Sequence, residues 1–290
     1  MTLRKYTGGV AGDHYDTSIA LAFDANYAGL FRALVRSMVE QETLLDCPII
    51  IYSADPEVFE DPLVAKIVDK RRLIDPAQQK ILEKASRDTV KRPERATWNL
   101  GTFLKWAAFE KQETSQLLFL DVDMIFKKPA EELLSLRPDV KFLCAPQFQR
   151  SIMESEDPAA GMQKLIDGDM WGNHSWRVNS GMMLIRDDLL SDAFREELLL
   201  SAFSAPPRIN EQSHMSVYFS ENPGLHAMVS AKYNFQEGFV RHAPPEAQPP
   251  LTDQAVILHY AGGIKPWKTK KHELRPSQRE WFRYADEVAA

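Results

Sequence analysis

Cysteine is scarce in this chain, with only Cys47 and Cys144 among its 290 residues. Cys47 precedes the apolar run 48–52, and Cys144 ends the apolar run 140–144. Free cysteines beside such runs are typical of buried core thiols. Because two of them supply neither a disulfide framework nor the spacing of a metal site, we expect a reducing compartment.

Long apolar runs and an excess of positive charge are also missing. No apolar stretch approaches the ~18 residues of a membrane span, and residues 1–16 contain no apolar core of the secretory type. The 35 Lys and Arg are outnumbered by 41 Asp and Glu, giving a net charge of −6, unlike the basic footprint of a nucleic-acid-binding protein. We expect a soluble cytoplasmic protein with no nucleic-acid partner. Peripheral membrane contact and the oligomeric state stay open.

The chain does contain alternating strand and helix patterns. Residues 17–23 and 48–52 are short apolar runs typical of buried strands, and segment 28–41 between them has apolar residues at helical spacing. Such a unit indicates parallel strands with a right-handed crossover. Hydrophobic residues make up 44% of the chain, enough for one large α/β domain or two small ones. Residues 147–177 lack periodicity and predict an irregular insertion over a site.

The most informative stretch is LLFLDVDMIF, residues 117–126. It predicts a strand buried on both faces, whose alternation would place Asp121 and Asp123 on one face near the carboxyl end. Ligands of open parallel sheets bind at this edge. Two adjacent carboxylates repel each other, and a divalent cation is the simplest relief. The alternative is a chance Asp-x-Asp, or a carboxylate that only caps a turn.

Three further residues have both a functional and a structural interpretation. Asp24 ends the first strand at the same edge as Asp121, where it would either bind a ligand or cap a helix. Lys105 lies on a predicted helix 100–113, where it would face a phosphate or be a surface charge. Gly181 opens a later strand, where it would allow a ligand close to the backbone or form a turn.

A second informative stretch lies in and after the apolar run 256–260. His259 closes this run, and an imidazole that completes a carboxylate metal site shifts the preference from Mg²⁺ toward Mn²⁺. Gly262 and Gly263 would let the backbone pass close to a phosphate, and Lys265 is spaced to reach it as a point charge. The alternative is a buried structural histidine, but the coincidence of these residues favours a ligand site.

These segments resemble a known family. Asp121-Val122-Asp123 resembles the DxD motif of GT-A glycosyltransferases. Residues 259–267 look like the HxxGxxKPW signature of the retaining glycosyltransferase family 8, which includes glycogenin and bacterial lipooligosaccharide galactosyltransferases. Other segments similar to those of the family follow its order: 23–27, 178–181, 210–212 and 232–234.

The resemblance implies a fold and a reaction. The fold would be GT-A, an α/β architecture with a Rossmann-like, mostly parallel sheet flanked by helices. A domain at 17–270 would follow a lead-in at 1–16 and precede a helical tail at 271–290. The enzyme would be a metal-dependent retaining glycosyltransferase that moves a hexose from a UDP-linked sugar to a glycan, lipid or protein acceptor that the sequence does not identify.

The resemblance also implies roles for particular residues. The cation would be Mn²⁺, with Mg²⁺ as the alternative, and its ligands would be Asp121, Asp123 and His259. Gln212 would lie near the anomeric carbon, with Glu211 beside it. The nucleotide sugar would contact Asp24, Tyr27, Lys105, Asp121, Val122, Asn179, Gly181, Gly262 and Lys265.

The chain departs from the family pattern at two places. Glu211 stands where the family usually has Asp, and Trp98 and Lys105 stand near the place of its Tyr-x-Arg. The sequence is compatible with two other functions. In a haloacid-dehalogenase-type phosphatase Asp121 would be the nucleophile, although that motif normally opens its domain. A non-catalytic nucleotide-sugar-binding protein is the other alternative.

Overall fold

The structure is a computed structural model, which describes residues 3–6, 16–92, 94, 96–148, 152, 154–168 and 177–285. Seven strands form a central sheet in the order β3-β2-β1-β4-β7-β6-β8. β7 runs antiparallel to both of its neighbours, and the other pairs are parallel. The strands are β1 (Thr17–Ala22), β2 (Ile49–Ser53), β3 (Lys70–Leu73), β4 (Gln116–Leu120), β5 (Met124–Phe126), β6 (Phe142–Pro146), β7 (Val178–Arg186), β8 (His226–Met228), β9 (Phe235–Gln236) and β10 (Ile257–His259).

Helices flank this sheet, so the expectation of a mostly parallel α/β fold is confirmed. The α-helices are α1 (Leu3–Tyr6), α2 (Ala28–Glu40), α3 (Pro62–Ile67), α4 (Pro76–Asp88), α5 (Ala96–Phe103), α6 (Glu132–Ser135), α7 (Pro158–Asp167), α8 (Asp192–Ser204), α9 (Glu211–Glu221), α10 (Glu237–Val240), α11 (Gln248–Thr252) and α12 (Pro276–Tyr284). Short 3₁₀ helices cover Ala25–Tyr27, Pro56–Glu60, Leu104–Ala108, Asp187–Leu189, Ala231–Asn234, Pro266–Lys268 and Lys271–Glu273.

Both faces of the central sheet are buried. Along β1, Ile19 and Leu21 belong to one hydrophobic cluster, whereas Ala20 between them belongs to the cluster on the other face. The same alternation separates Leu118 from Phe119 in β4. A strand buried on both faces needs apolar residues at every position. This requirement explains the unbroken apolar runs of the sequence.

A small second sheet places β10 beside the carboxyl end of β4. β10 pairs antiparallel with β5 and parallel with β9. Its register sets His259 opposite Met124, and the Tyr260 N–H donates to the Asp123 carbonyl at 3.0 Å. Two segments more than 100 residues apart in the chain are thereby fixed next to each other.

The predicted single strand 117–126 is wrong, because the structure has two strands in two sheets. β4 ends at Leu120 and β5 begins at Met124. The Asp121 N–H still donates to the Gly181 carbonyl of β7 at 2.7 Å, and the chain then bends into the second sheet. The two aspartates therefore lie in a bend rather than on one face of a strand.

Two other predicted segments differ in extent. The predicted helix 100–113 is instead α5 followed by a 3₁₀ turn that ends at Ala108. Residues 105–109 are all buried. The polar face that would distinguish a continuing surface helix is therefore missing, and the sequence does not show where the helix ends. The supposedly irregular segment 147–177 contains α7, capped by Asp157 and by Gly168 in the left-handed conformation. Residues 149–151, 153 and 169–176 of that segment lie outside the described residues.

Both termini of the described chain pack onto the domain. Leu3 of α1 is buried, and Arg4 pairs with Asp46 at 2.8 Å. At the other end, Trp281 of α12 stacks edge-on against Tyr260 with 5.2 Å between ring centroids. No helix within the described ranges is both long enough and apolar enough to cross a membrane.

Candidate active site

Asp121, Asp123 and His259 meet at the carboxyl end of β4. The Nε2 atom of His259 lies 3.2 Å from an oxygen of Asp123 and 3.8 Å from an oxygen of Asp121. One potential ligand atom from each of the three residues lies within 4.8 Å of the others. The bend after β4 presents the two carboxylates, and the β5–β10 pairing presents the imidazole. This arrangement is a potential divalent-metal site.

The hydrogen bonds behind His259 prepare its ring for a cation. The Gly181 N–H donates to the side-chain oxygen of Asn179 at 3.0 Å, and the side-chain NH₂ of Asn234 donates to the same oxygen at 2.9 Å. The side-chain oxygen of Asn234 must then face His259 Nδ1, 2.7 Å away. Since an amide oxygen only accepts, Nδ1 donates to Asn234, and Nε2 is the ring nitrogen that faces the acids.

Lys265 balances the negative charge of Asp123. The Lys265 ammonium pairs with Asp123 and donates to the Tyr260 carbonyl at 2.6 Å. Burial opposes ionisation of Asp123, but Lys265 and then His259 outweigh it and hold the pKa of this carboxyl well below its usual range. Asp123 therefore stays a carboxylate, the form that binds a metal. An ionised acid and an imidazole nitrogen form a donor set that fits a divalent cation.

Lys105 is buried beside the second acid, so it does not face open space. Its ammonium lies 2.9 Å from Asp121, 3.4 Å from Glu211 and 3.2 Å from the Ser180 hydroxyl. Burial alone would lower the pKa of Lys105, but the attraction of Asp121 and Glu211 raises it overall. The surface-charge interpretation is wrong because the ammonium is buried and pairs with these two acids.

Glu211 occupies the first turn of α9 with only 1% of its surface exposed. One of its oxygens accepts from the Ser180 hydroxyl at 2.7 Å. The other is buried and accepts no hydrogen bond from any described residue. Gln212, the next residue, is half-buried. A buried carboxylate oxygen without a donor is costly unless a ligand supplies one.

Residues at the end of β1 complete this edge of the sheet. β1 and β4 are parallel neighbours, so Asp24 follows its strand at the same edge as Asp121. The Asp24 carboxylate accepts from the Asn26 N–H at 2.9 Å and caps the 3₁₀ helix that follows. Tyr27 is 45% exposed, and Val122 between the two acids is buried.

The two predicted glycines serve different purposes. A side chain on Gly181 would collide with the His259 ring, since its Cβ would lie 2.8 Å from Nδ1. Gly181 therefore leaves room for the imidazole, and its contact with a ligand stays a prediction. Gly262 has a φ of +85° and open space around it, so its backbone conformation requires glycine.

Asn234 and Ser180 were not among the predicted site residues. Both lie in segments noted for their resemblance to the family, but their contacts join residues that are far apart in sequence. Asn234 reaches His259 across 25 positions, and Ser180 reaches Glu211 across 31. The resemblance of their segments to the family could have marked Asn234 and Ser180 as site residues. No local sequence pattern, however, shows which residues they contact.

The model of glycosyl transferase family 8 matches residues 18–271. The chain belongs to this family. No curated protein matches it. The family is one of glycosyltransferases. The phosphatase and the non-catalytic binding protein are therefore not favoured.

Solved structures share the fold of this family 8 chain. GlyE of Streptococcus pneumoniae TIGR4 aligns with a TM-score of 0.60 and 17% identity, over 93% of this chain and 60% of its own. The present chain thus spans about 60% of the length of GlyE. The galactosyltransferase LgtC, in complex with donor and acceptor sugar analogues, aligns with a TM-score of 0.56 and 14% identity over 94% of this chain and 96% of its own. These TM-scores show a shared fold, that of the GT-A glycosyltransferases.

Proposed function

We propose that this family 8 protein transfers a hexose from a UDP-linked sugar to an acceptor hydroxyl, with retention of configuration and with Mn²⁺ as cofactor. The observation that carries the proposal is the cluster of Asp121, Asp123 and His259, in which the imidazole Nε2 faces both acids. These three residues would hold the cation. Bound Mn²⁺ would stabilise the diphosphate as the bond to the anomeric carbon breaks.

Lys265 is assigned to the leaving group. Its ammonium pairs with Asp123 beside the candidate metal ligands. A cation here would neutralise a phosphate oxygen that gains negative charge in the transition state. Gly262, in its left-handed conformation, gives the intervening loop the turn that returns Lys265 to the site. Asp24 and Tyr27, at the end of β1, are assigned to the uracil and ribose.

Glu211 and Gln212 are assigned to the sugar. The unpartnered, buried oxygen of Glu211 would accept a hydrogen bond from a sugar hydroxyl. Asn179 and Gly181 would line the same pocket, and Lys105 would fix the orientation of both Asp121 and Glu211.

The transfer step follows from the residues near the anomeric carbon. An amide is a poor nucleophile, so Gln212 would form no covalent intermediate. The acceptor oxygen would form the new bond to the anomeric carbon on the face that the diphosphate leaves. The bond to the diphosphate breaks, and the departing phosphate oxygen takes the acceptor proton.

We further propose that residues 17–270 form the catalytic domain and that 271–290 are an accessory tail. Buried Cys47 and Cys144 support a reducing, cytoplasmic setting.

A thermal-shift panel of nucleotide sugars, with and without Mn²⁺, tests the proposal. UDP-hexoses are expected to raise the unfolding temperature only with the metal, and coupled detection of UDP should show slow donor hydrolysis that EDTA abolishes. A panel in which no UDP-sugar stabilises the protein, or hydrolysis that persists without metal, would contradict it.

A further inference from the structure

A cavity of about 320 Å³ opens beside the first turns of α9. Basic side chains form one part of its wall: Lys91, Arg177 and Arg208. Hydroxyl groups on one face of α9 form another part: Ser213, Ser216 and Ser220. None of these residues belongs to the site assigned above. The lining therefore combines three positive charges with three hydroxyls.

The three basic side chains of this cavity belong to no ion pair among the described residues. Among the described residues, none of the three basic side chains pairs with a carboxylate within 4.0 Å. The Nε atom of Arg208 is buried and donates to no described group. By contrast, Arg275 of the same chain pairs with Glu237 at 2.7 Å. Three basic side chains that line one cavity and pair with no described carboxylate, in a protein of net charge −6, indicate an anionic ligand.

The backbone holds this cavity in place. The Lys91 N–H donates to the Arg208 carbonyl at 2.7 Å, and the Arg208 N–H donates to the Thr89 carbonyl at 2.8 Å. The Val178 N–H donates to the Ser216 hydroxyl at 3.0 Å. These bonds tie the segments of Lys91, Arg208 and Ser216 to neighbouring backbone.

The basic cavity adjoins the sugar end of the proposed active site. The Ser216 hydroxyl donates to the Gln212 carbonyl at 2.7 Å. Ser213 directly follows Gln212, and Arg177 lies two positions before Asn179 in β7. At about 3.3 Å per strand residue, Arg177 is roughly 7 Å along the chain from Asn179. A saccharide seated in the cavity would extend toward the residues assigned to the anomeric carbon.

We propose that this cavity is the acceptor subsite and that it takes a saccharide carrying a phosphate or carboxylate group. The arginine guanidinium groups match the geometry of either anion, and the serine hydroxyls match sugar hydroxyls. The inference rests on the proposed glycosyl transfer, since it names the acceptor class for that reaction.

Calorimetric titration of the full chain with Mn²⁺ and UDP present tests the inference. The probes are glucose 6-phosphate, glucuronate and glucose, which share a ring and differ in charge. At least one anionic probe should bind about 10-fold more tightly than glucose, and the comparison of the two anions identifies the preferred group. Saturable binding of neither anion, or equal binding of glucose, would overturn the inference.

Substitutions of the cavity arginines test whether the anionic saccharide binds there. Arg208→Gln should weaken anion binding about 10-fold and leave acceptor-free donor hydrolysis unchanged. Arg177→Gln, at an exposed side chain, makes the same test if the first variant folds poorly. Lys111→Gln removes the same charge from an exposed site before β4 and should change nothing. Equal binding by wild type and both arginine variants would overturn the assignment.

Donor hydrolysis separates the two proposals. Absence of UDP release from every UDP-hexose would defeat the proposed function itself. Metal-dependent release together with no preference for anionic saccharides would defeat only the acceptor subsite.

Discussion

Asp123 is the residue on which most contacts of the site converge. It touches His259 and Lys265 through its side chain and fixes Tyr260 through its carbonyl. The backbone contact does not depend on the carboxylate. Loss of the negative charge should therefore affect the chemistry far more than the fold.

Asp123→Asn tests this separation. An amide is a weaker ligand than a carboxylate for a hard cation, so we expect transfer to fall more than about 100-fold with a cooperative unfolding transition retained. UDP release and thermal unfolding measure the two effects. Wild-type turnover in this variant would remove the metal role of Asp123.

Asn234→Ala tests the hydrogen bond behind the imidazole. Without the acceptor for Nδ1–H, His259 loses its fixed tautomer and orientation, so affinity for Mn²⁺ should fall by about 10- to 100-fold. Titration of the metal measures this change. Asn234→Asp keeps an acceptor for His259 and should retain most of the affinity. An equal loss of affinity in both variants would show that the hydrogen bond from Asn234 to Asn179, rather than the one from His259 to Asn234, supports the metal site.

The residue scale also shows the limit of sequence interpretation. The motifs identified Asp121, Asp123 and His259 because strand ends carry ligands. The role of Asn234 depends on a side chain reaching from one segment to another, which no local pattern encodes. A surface charge was one of two interpretations of Lys105, because the sequence does not show that Asp121 and Glu211 fold against it.

At the scale of elements, α9 links the sugar site to the core. His214, on the face of α9 toward Thr89, is buried and its Nε2 donates to the Thr89 carbonyl at 2.9 Å. Burial lowers the pKa of His214, aided by Arg208, while the Thr89 bond and Glu211 oppose the shift. The folded protein therefore favours the neutral ring.

A pH dependence of stability follows from this lowered pKa. The unfolded chain takes up a proton near pH 6.5, whereas folded His214 does so only at lower pH. The stability that this residue contributes is present above about pH 6.5 and is lost as pH falls through the folded pKa. His214→Gln keeps a donor for Thr89 and should reduce the fall in unfolding temperature between pH 7.5 and 5.5. An unchanged slope would contradict the expectation.

The elements also show why the bend at 121–123 escaped prediction. Residues 117–126 are apolar on both sides of the acids, as a continuous strand would be. The bend exists because β5 pairs with β10, which is more than 100 residues away. Local sequence specifies that both pieces are strands, and only long-range pairing specifies that they belong to two sheets.

At the scale of the whole molecule, the fold brings distant segments to one edge of a sheet. β1, β4 and β7 supply residues from the central sheet, and β10 supplies the imidazole from the second sheet. Apolar periodicity predicts individual strands but not their order in the sheet. The architecture was predictable because motifs of family 8 occur in order along most of the chain, within the range 18–271 that the family model matches.

The position of the cation tests the account most directly. Crystals grown with Mn²⁺ and UDP, measured at the manganese absorption edge, should give an anomalous peak bounded by Asp121, Asp123 and the Nε2 atom of His259. His259→Gln should weaken that peak or move it. A strong peak elsewhere, or bound UDP with no metal beside these three residues, would contradict the account.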